Sequence, residues 1–309
     1  MENNKVTLKE LQERQRWTLN QKIDHSLYII DSFLAQVPTA SIAFSGGIDS
    51  TVLLYLCRML KKDIPVVFIN TTNEFSEIVK FVKNSTDVQI IHPKITFIES
   101  LEKYGFPLIS KLVSGYLNEC RNPTEKNKKN IDRILNGKIV DGKLNTRYSL
   151  PHRYKFLLNS KFEISDKCCD YLKKYPFSKI NKNGIFIGTM ASDSEQRLSS
   201  YLKTSCINLN NKKASPLSIW NDKNIWKFIK QNNIPYYDIY DKGETSTGCA
   251  YCGFGCMFDR LRFARLKERE PKRYKIIMNV KNNGVTYKEA LGISMKLNLD
   301  SHQPTLLLK

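Results

Sequence analysis

Apolar positions along the chain switch between two periods. Residues 7–37 carry them at helical spacing, first in LKELQERQRW and then in an amphipathic stretch from Ile23 to Val37 that Pro38 closes. Ser41–Phe44 is a short apolar run that reads as a strand, and Thr51–Lys61 returns to the helical period. Ile64–Asn70 is compact and β-branched, as a buried strand would be. Helix over Glu77–Asn84 and strand over Val88–Ile91 follow. Strands alternating with helices predict an α/β fold with a doubly wound, mostly parallel sheet. From about Gly115 to Ser160 the pattern loosens into a lysine-rich stretch with few large apolar residues, which reads as a basic insertion with a short helix. Ile185–Gly188 resumes as strand. Ile219–Gln231 predicts an amphipathic helix begun by Asn221 or Asp222, and Phe258–Met278 a basic helix that Pro271 can break.

Composition narrows the setting. The hydrophobic fraction of 41% can fill a core. No apolar run approaches the ~18–20 residues that span a bilayer, and the start, MENNKVTLKELQERQRW, lacks the apolar core of a signal peptide. A cytoplasmic protein with no membrane partner is expected. The net charge of +19 attracts polyanions, whether nucleic acid, nucleotides or sulfated nucleotides. Scattered lysines on a solvated surface give the same total, and only clustering separates the two readings. Of the eight cysteines, Cys57 sits in an apolar helical run and reads as core, and Cys206 reads as structural. Five fall in two tight groups, Cys168-Cys169 and Cys249, Cys252 and Cys256, which points to metal or redox chemistry in a reducing compartment.

The most specific segment is Ser45-Gly46-Gly47-Ile48-Asp49-Ser50-Thr51, placed after a strand and opening a helix. Glycines let backbone N–H groups approach phosphate oxygens, and the helix start adds partial positive charge. Ser45, Ser50 and Thr51 can donate from their hydroxyls. Asp49 repels phosphate unless Mg²⁺ bridges the two. The Gly-Lys-Ser/Thr ending of a Walker loop is absent. This segment resembles the signature of the PP-loop ATP pyrophosphatases, whose members cleave ATP between the α and β phosphates. That superfamily includes the phosphoadenosine-phosphosulfate (PAPS) and adenosine-phosphosulfate (APS) reductases.

Further motifs extend the resemblance over about residues 40–275. Val67–Glu77 is similar to the V-F-x-D-T-G-x-E-F-P-E-T stretch of the PAPS reductase branch, keeping Glu74 and Phe75 but carrying Asn70 for Asp and Thr72 for Gly. Ile187–Arg197 resembles G-x-R-x-x-E-S-x-x-R, with Gly188, Ser194 and Arg197 matching, Met190 in place of Arg and Asp193 in place of Glu. Arg197 suits an anion, because guanidinium pairs phosphate or sulfate oxygens bidentately. Pro216–Trp226 resembles the family's P-L-x-x-W helix entry, with Trp220 and Trp226 expected to pack the helix on the sheet. The fold implied is the adenine nucleotide alpha hydrolase-like type. Its expected parts are a helical extension over 1–38, a nucleotide-binding domain over 39–215 with the basic insertion at about 115–160, and a helical, cysteine-containing Fe–S region over 216–309.

Four thiolates at Cys168, Cys169, Cys249 and Cys252 suit either an iron–sulfur cluster or zinc, and adjacent cysteines sit awkwardly round one small tetrahedral ion. The resemblance implies a [4Fe–4S] cluster, since APS reductases and related sulfur-transfer enzymes carry Cys-Cys…Cys-x-x-Cys. Cys256 is either a persulfide-carrying fifth thiol or a buried spare cysteine. The reductases also use a cysteine in a Glu-Cys-Gly-type tail, and no cysteine follows Cys256 here. A basic segment from Arg260 to Lys275 follows instead, resembling PAPS-reductase-domain proteins of bacteria and phages. The expected function is AMP-forming adenylation of an acceptor, nucleic acid among the candidates, for Fe–S-assisted sulfur transfer. Asp49 and Cys256 would be catalytic, with ATP, Mg²⁺ and a sulfur donor such as a cysteine desulfurase. The alternatives are APS or PAPS reduction and a non-catalytic nucleotide- or nucleic-acid-binding module.

Overall fold

The computed structural model describes residues 5–297 apart from 61, 86, 245, 246 and 258. Phe258, where the basic helix was expected to begin, and the C-terminal residues 298–309 lie outside the described residues. The chain divides into two compact units, each discontinuous in sequence. One takes the chain up to Asn70, Glu74–His92 and Tyr175–Thr247; the other takes Thr71–Asn73, Pro93–Lys174 and the residues from Gly248 on.

The first unit is built on a six-stranded sheet. Its strands are β1 (Ser41–Ala43), β2 (Val66–Ile69), β3 (Val88–Ile91), β4 (Ile185–Ile187), β5 (Ile207–Asn208) and β6 (Lys213–Ala214), in the order β3-β2-β1-β4-β6-β5. All neighbours are parallel except the edge pair of β5 and β6. The register Ser41↔Ile185 and Ile42↔Val66 centres β1 between strands from distant parts of the chain. Helices Ile48–Met59, Ser76–Asn84 and Glu195–Thr204 follow β1, β2 and β4. This is the α/β fold that the alternating pattern predicts. Phe33 and Phe186 meet edge to face at 5.0 Å in the core, and Val52, Leu53 and Leu56 are buried from the helix after β1. Each such burial contributes about 1.5–3 kcal/mol.

Local chemistry sets the boundaries. The second N-terminal helix begins at Leu19 rather than Ile23 because Thr18 and Gln21 form a capping box ahead of it. Asn221 caps the helix Asp222–Gln231, so Trp220 lies outside it, buried, its indole N–H donating to Ser26 Oγ at 3.0 Å. Trp226 is on the helix but packs edge-on to Tyr236 and Tyr240 at 5.2 and 5.7 Å. Trp220 also packs edge to face on Phe228 of that helix at 5.7 Å, as expected of it, whereas Trp226 meets the tyrosines beyond the helix.

The second unit packs helices Phe97–Tyr104, Lys111–Arg121 and Lys128–Asn136 with a hairpin, Lys138–Val140 against Lys143–Asn145. Helices Arg262–Arg269, Pro271–Met278 and Tyr287–Met295 belong to it as well. The expected long basic helix is thus two, with Pro271 at the first position of the second, where its missing N–H costs nothing. Leu101, Phe106, Leu117, Leu157, Phe162 and Leu291 form its interior. Among the described residues, no helix is long and apolar enough to cross a membrane.

Candidate nucleotide site and cysteine cluster

The loop Ser45–Thr51 leaves the C-terminal end of β1 and becomes the first turn of the helix Ile48–Met59. Ligands in open α/β sheets gather at such strand ends. Gly46 has φ +74, and a Cβ there would stand 2.7 Å from Ile78 Cγ2, so only glycine fits. Gly188, just past β4, approaches the loop as closely: a Cβ on it would be 2.9 Å from the backbone carbon and oxygen of Asp49. The hydroxyls divide their work. Ser50 Oγ donates to Gly47 O at 2.8 Å and accepts from Ser45 N at 3.1 Å, and Thr51 Oγ1 donates to Gly47 O at 3.0 Å. Both residues are buried and brace the loop, whereas Ser45 is exposed. Ile48 N donates to Tyr240 Oη at 3.1 Å.

Asp49 is the electrostatic centre of this end of the sheet. Burial, and then the negative charges of Asp193 and Asp222, push its carboxyl from 3.8 up to about 7, partly offset by Arg197. Arg197 pairs with Asp193, whose Oδ2 also accepts from Met190 N at 2.9 Å. Ser194 Oγ accepts from Arg197 N at 3.3 Å and so caps the helix Glu195–Thr204. Glu74 is buried just ahead of the helix Ser76–Asn84. A pocket of about 210 Å³ opens past β4, lined by Thr189, Met190, Arg197, Cys206, Lys213 and Ser215 among others. Burial and the neighbouring Arg197 lower the Lys213 pKa. Two cations in one pocket suit an anionic group.

In the second unit, Cys168 donates its thiol hydrogen bond to Cys169. That bond, with Lys111 and Lys173 acting against burial, lowers Cys169 to about 6. Cys168 is raised by the same bond, by burial and by Cys169, Cys252 and Cys249, and burial raises Cys252 to about 12. The four thiols thus share one electrostatic neighbourhood. Among the described residues, no three His, Cys, Asp or Glu side chains converge on a single-ion position. The Cys249–Cys252 turn is held from several sides. Asn73 takes Ala250 N on its carbonyl at 2.6 Å and Tyr251 N on Oδ1 at 2.9 Å. Arg262 donates to Cys249 O at 2.7 Å and Ala250 O at 3.0 Å, and Tyr287 Oη to Tyr251 O at 2.9 Å. Cys256 lies in the following 3₁₀ turn, 1% exposed, with its thiol pushed up by burial.

Residues 39–253 match the phosphoadenosine phosphosulfate reductase domain. The chain belongs to that family. The matched stretch contains the Ser45–Thr51 loop, Glu74, Gly188, Ser194, Arg197 and Cys168, Cys169, Cys249 and Cys252, while Cys256 and the basic helices lie beyond it. The chain is 22% identical over 218 residues to the adenosine 5′-phosphosulfate reductase of Halalkalibacterium halodurans, covering 68% of this chain and 72% of that one. It is 26% identical over 237 residues to an uncharacterized protein of Methanocaldococcus jannaschii, covering 75% of this chain and 45% of the relative, so it spans under half of that protein. The solved phosphoadenylyl-sulfate (PAPS) reductase of Candida auris aligns with 80% of this chain and 98% of its own, at 13% identity and a TM-score of 0.42.

Within the family's stretch, the fold gathers Asp49, Gly188 and Arg197 at one end of the first sheet and the four thiols in the second unit. Sequence reasoning missed Asp222, Tyr240, Lys213 and the braces Asn73 and Arg262. Asn73 stands in the Val67–Glu77 motif and Arg262 in the basic segment Arg260–Lys275, yet Arg262 is 8% exposed.

Proposed function

We propose that the chain is an AMP-forming ATP pyrophosphatase that adenylates an acceptor for sulfur transfer. The observation carrying this reading is the acidic group of Asp49, Asp193 and Asp222 beside a phosphate-type loop. Three carboxylates oppose a bare phosphate or sulfate but suit a nucleotide that arrives with Mg²⁺, and oxygen donors are what that ion takes. Asp49 would hold the cation, with Asp193 and Asp222 supporting its charge. Ser45 and the first N–H groups of the helix would meet the phosphates, with Ser50 and Thr51 keeping the loop in shape. Arg197 is near enough to lower the Asp49 pKa and could turn from Asp193 to a phosphoryl oxygen.

The reaction would run in two displacements. An acceptor oxygen attacks the α-phosphorus, the bond to the β-phosphate oxygen breaks, and pyrophosphate leaves. A sulfur nucleophile from a donor such as a cysteine desulfurase then attacks the acceptor carbon and AMP departs. Cys168, Cys169, Cys249 and Cys252 form a donor set of the soft type that iron–sulfur clusters require. Such a group, when bound, would supply sulfur or electron chemistry. Cys256, buried in the turn after Cys252, is the candidate persulfide carrier.

A second reading, sulfonucleotide reduction, draws on the pocket where Arg197 and Lys213 face one space and on the name of the H. halodurans relative. Calorimetric titration of the chain with ATP, APS and PAPS, each with and without Mg²⁺, separates the two. Tight binding of ATP that needs Mg²⁺ and is lost in Asp49→Ala supports adenylation. Tight, Mg²⁺-independent binding of APS or PAPS that survives the substitution refutes it.

A further inference from the structure

The hairpin of the second unit is not used by either reading. Lys138 to Tyr148 are all exposed, and the hairpin pairs only with itself. Its turn holds Asp141 at φ 50 and Gly142 at φ 72, the two positive angles of a tight primed turn. Register fixes its faces. Ile139 opposes Leu144, so one face presents an apolar pair, 72% and 64% exposed. Lys138, Val140 and Lys143 fall on the other face. An isolated two-stranded hairpin is marginal in water, and this one has no sheet to cover it. Its foot is nevertheless fixed. Gly137 N donates to Arg133 O at 2.8 Å, Leu150 N to Ile134 O at 2.7 Å, and Lys155 Nζ to Leu135 O at 2.9 Å. Ile134 and Leu150 are buried.

Charge and aromatics indicate what would meet it. Lys128, Lys129, Lys138, Lys143, Arg147 and Arg153 are exposed, against Asp132 and Asp141 as the carboxylates between Lys126 and Arg153. Here the positive charge is clustered in one short stretch. Tyr148 is 51% exposed, with the Arg147 guanidinium 5.6 Å from its ring centroid. Phosphates neutralise such cations, and an exposed ring beside arginine can stack an unpaired base.

We propose that the ribbon Lys138–Asn145, with Arg147 and Tyr148 at its exit, grips single-stranded nucleic acid, and this binding does not rest on the adenylation reading. A duplex would leave Tyr148 without an unstacked base, and a membrane surface would engage lysines and apolar residues without needing the ring.

The test uses the full chain, anaerobically purified, and labelled single-stranded DNA, single-stranded RNA and duplex DNA of about 20 nucleotides, a length above one typical single-strand site. Anisotropy is followed against salt without ATP. The triple variant Lys138→Gln/Lys143→Gln/Arg147→Gln should flatten the slope of log affinity against log salt by about 2, from three phosphates at ~0.7 each. Tyr148→Ala should weaken single-strand binding roughly 5- to 150-fold and duplex binding far less. All the altered residues are exposed, so circular dichroism and melting should match wild type. Unchanged affinity and slope in both variants overturns the proposal. So does binding confined to phosphatidylserine–phosphatidylcholine vesicles. Oligonucleotide binding that depends on the ribbon in a chain that releases no pyrophosphate from Mg-ATP sinks the adenylation reading and leaves the grip standing. Pyrophosphate release with ribbon-independent oligonucleotide binding does the reverse.

Discussion

Replacing Asp49 by asparagine should make the protein more stable while removing its activity. Burial and the charges of Asp193 and Asp222 raise the Asp49 carboxyl to about 7 in the folded chain, against an ordinary 3.8. Between those values the folded state binds a proton that the unfolded state has released, so stability falls as pH rises through the window. The loss is complete above about pH 7, and at 1.36 kcal/mol per pKa unit it amounts to roughly 4 kcal/mol as an upper figure. Relaxation of the site makes about 2–4 kcal/mol a fairer range for that buried group. Asparagine keeps the shape and cannot ionise. At about pH 8 the Asp49→Asn variant should therefore melt roughly 5–15 °C above wild type, at ~2–4 °C per kcal/mol for a unit of this size class. Below about pH 4 the two curves should meet, because both side chains are then neutral. Mg²⁺ should close the gap at high pH by binding the ionised wild type alone. Thermal melts followed by intrinsic fluorescence, across pH with and without Mg²⁺, read all of this. Parallel pH curves for the two proteins would refute the claim that Asp49 sits in an acidic, desolvated site.

Other substitutions probe the supporting parts. Gly188→Ala puts a methyl 2.9 Å from the Asp49 backbone, which cannot yield as a side chain can. It should cost about 1–3 kcal/mol in melting and weaken Mg-ATP binding in titration. Arg262→Leu strips the donors from Cys249 O and Ala250 O, and hydrogen bonds to charged groups are worth about 1.5–3 kcal/mol. Iron and sulfide per chain after anaerobic reconstitution should fall, with Arg262→Lys intermediate; full iron content in the leucine variant would contradict the brace. Trp220→Phe removes the 3.0 Å bond to Ser26 Oγ inside the first unit and should lower stability by about 1–3 kcal/mol in denaturant titration, without changing iron content.

The sheet was legible where its strands are short apolar runs between helical periods. Val88–Ile91 appears in the structure as expected from the sequence, and Pro271 divides two helices because its ring and missing N–H do so wherever they occur. β5 and β6 are not legible in the sequence because two-residue strands have no period to read. The ribbon carried a signal that went unused: Asp141-Gly142 between β-branched and polar alternation is a hairpin turn pair, hidden by reading the lysine-rich stretch as a loose insertion. At the candidate site, the loop was legible because its glycines, hydroxyls and Asp49 are contiguous. Asp222 and Tyr240 were not, since only the folded chain brings them to Ile48 and Asp49. Arg262 stands in a basic run where nothing local distinguishes it from Arg260 or Lys267; burial alone sets it apart.

Product analysis tests the central claim most directly. Anaerobically purified chain is given Mg-ATP, with and without single-stranded nucleic acid, and separately APS or PAPS with a thiol reductant; pyrophosphate, AMP and sulfite are measured. Adenylation predicts pyrophosphate from ATP, stimulated by the acceptor and abolished by Asp49→Ala. Sulfite from APS or PAPS, with no pyrophosphate from ATP under any condition, would contradict it and make the chain a sulfonucleotide reductase.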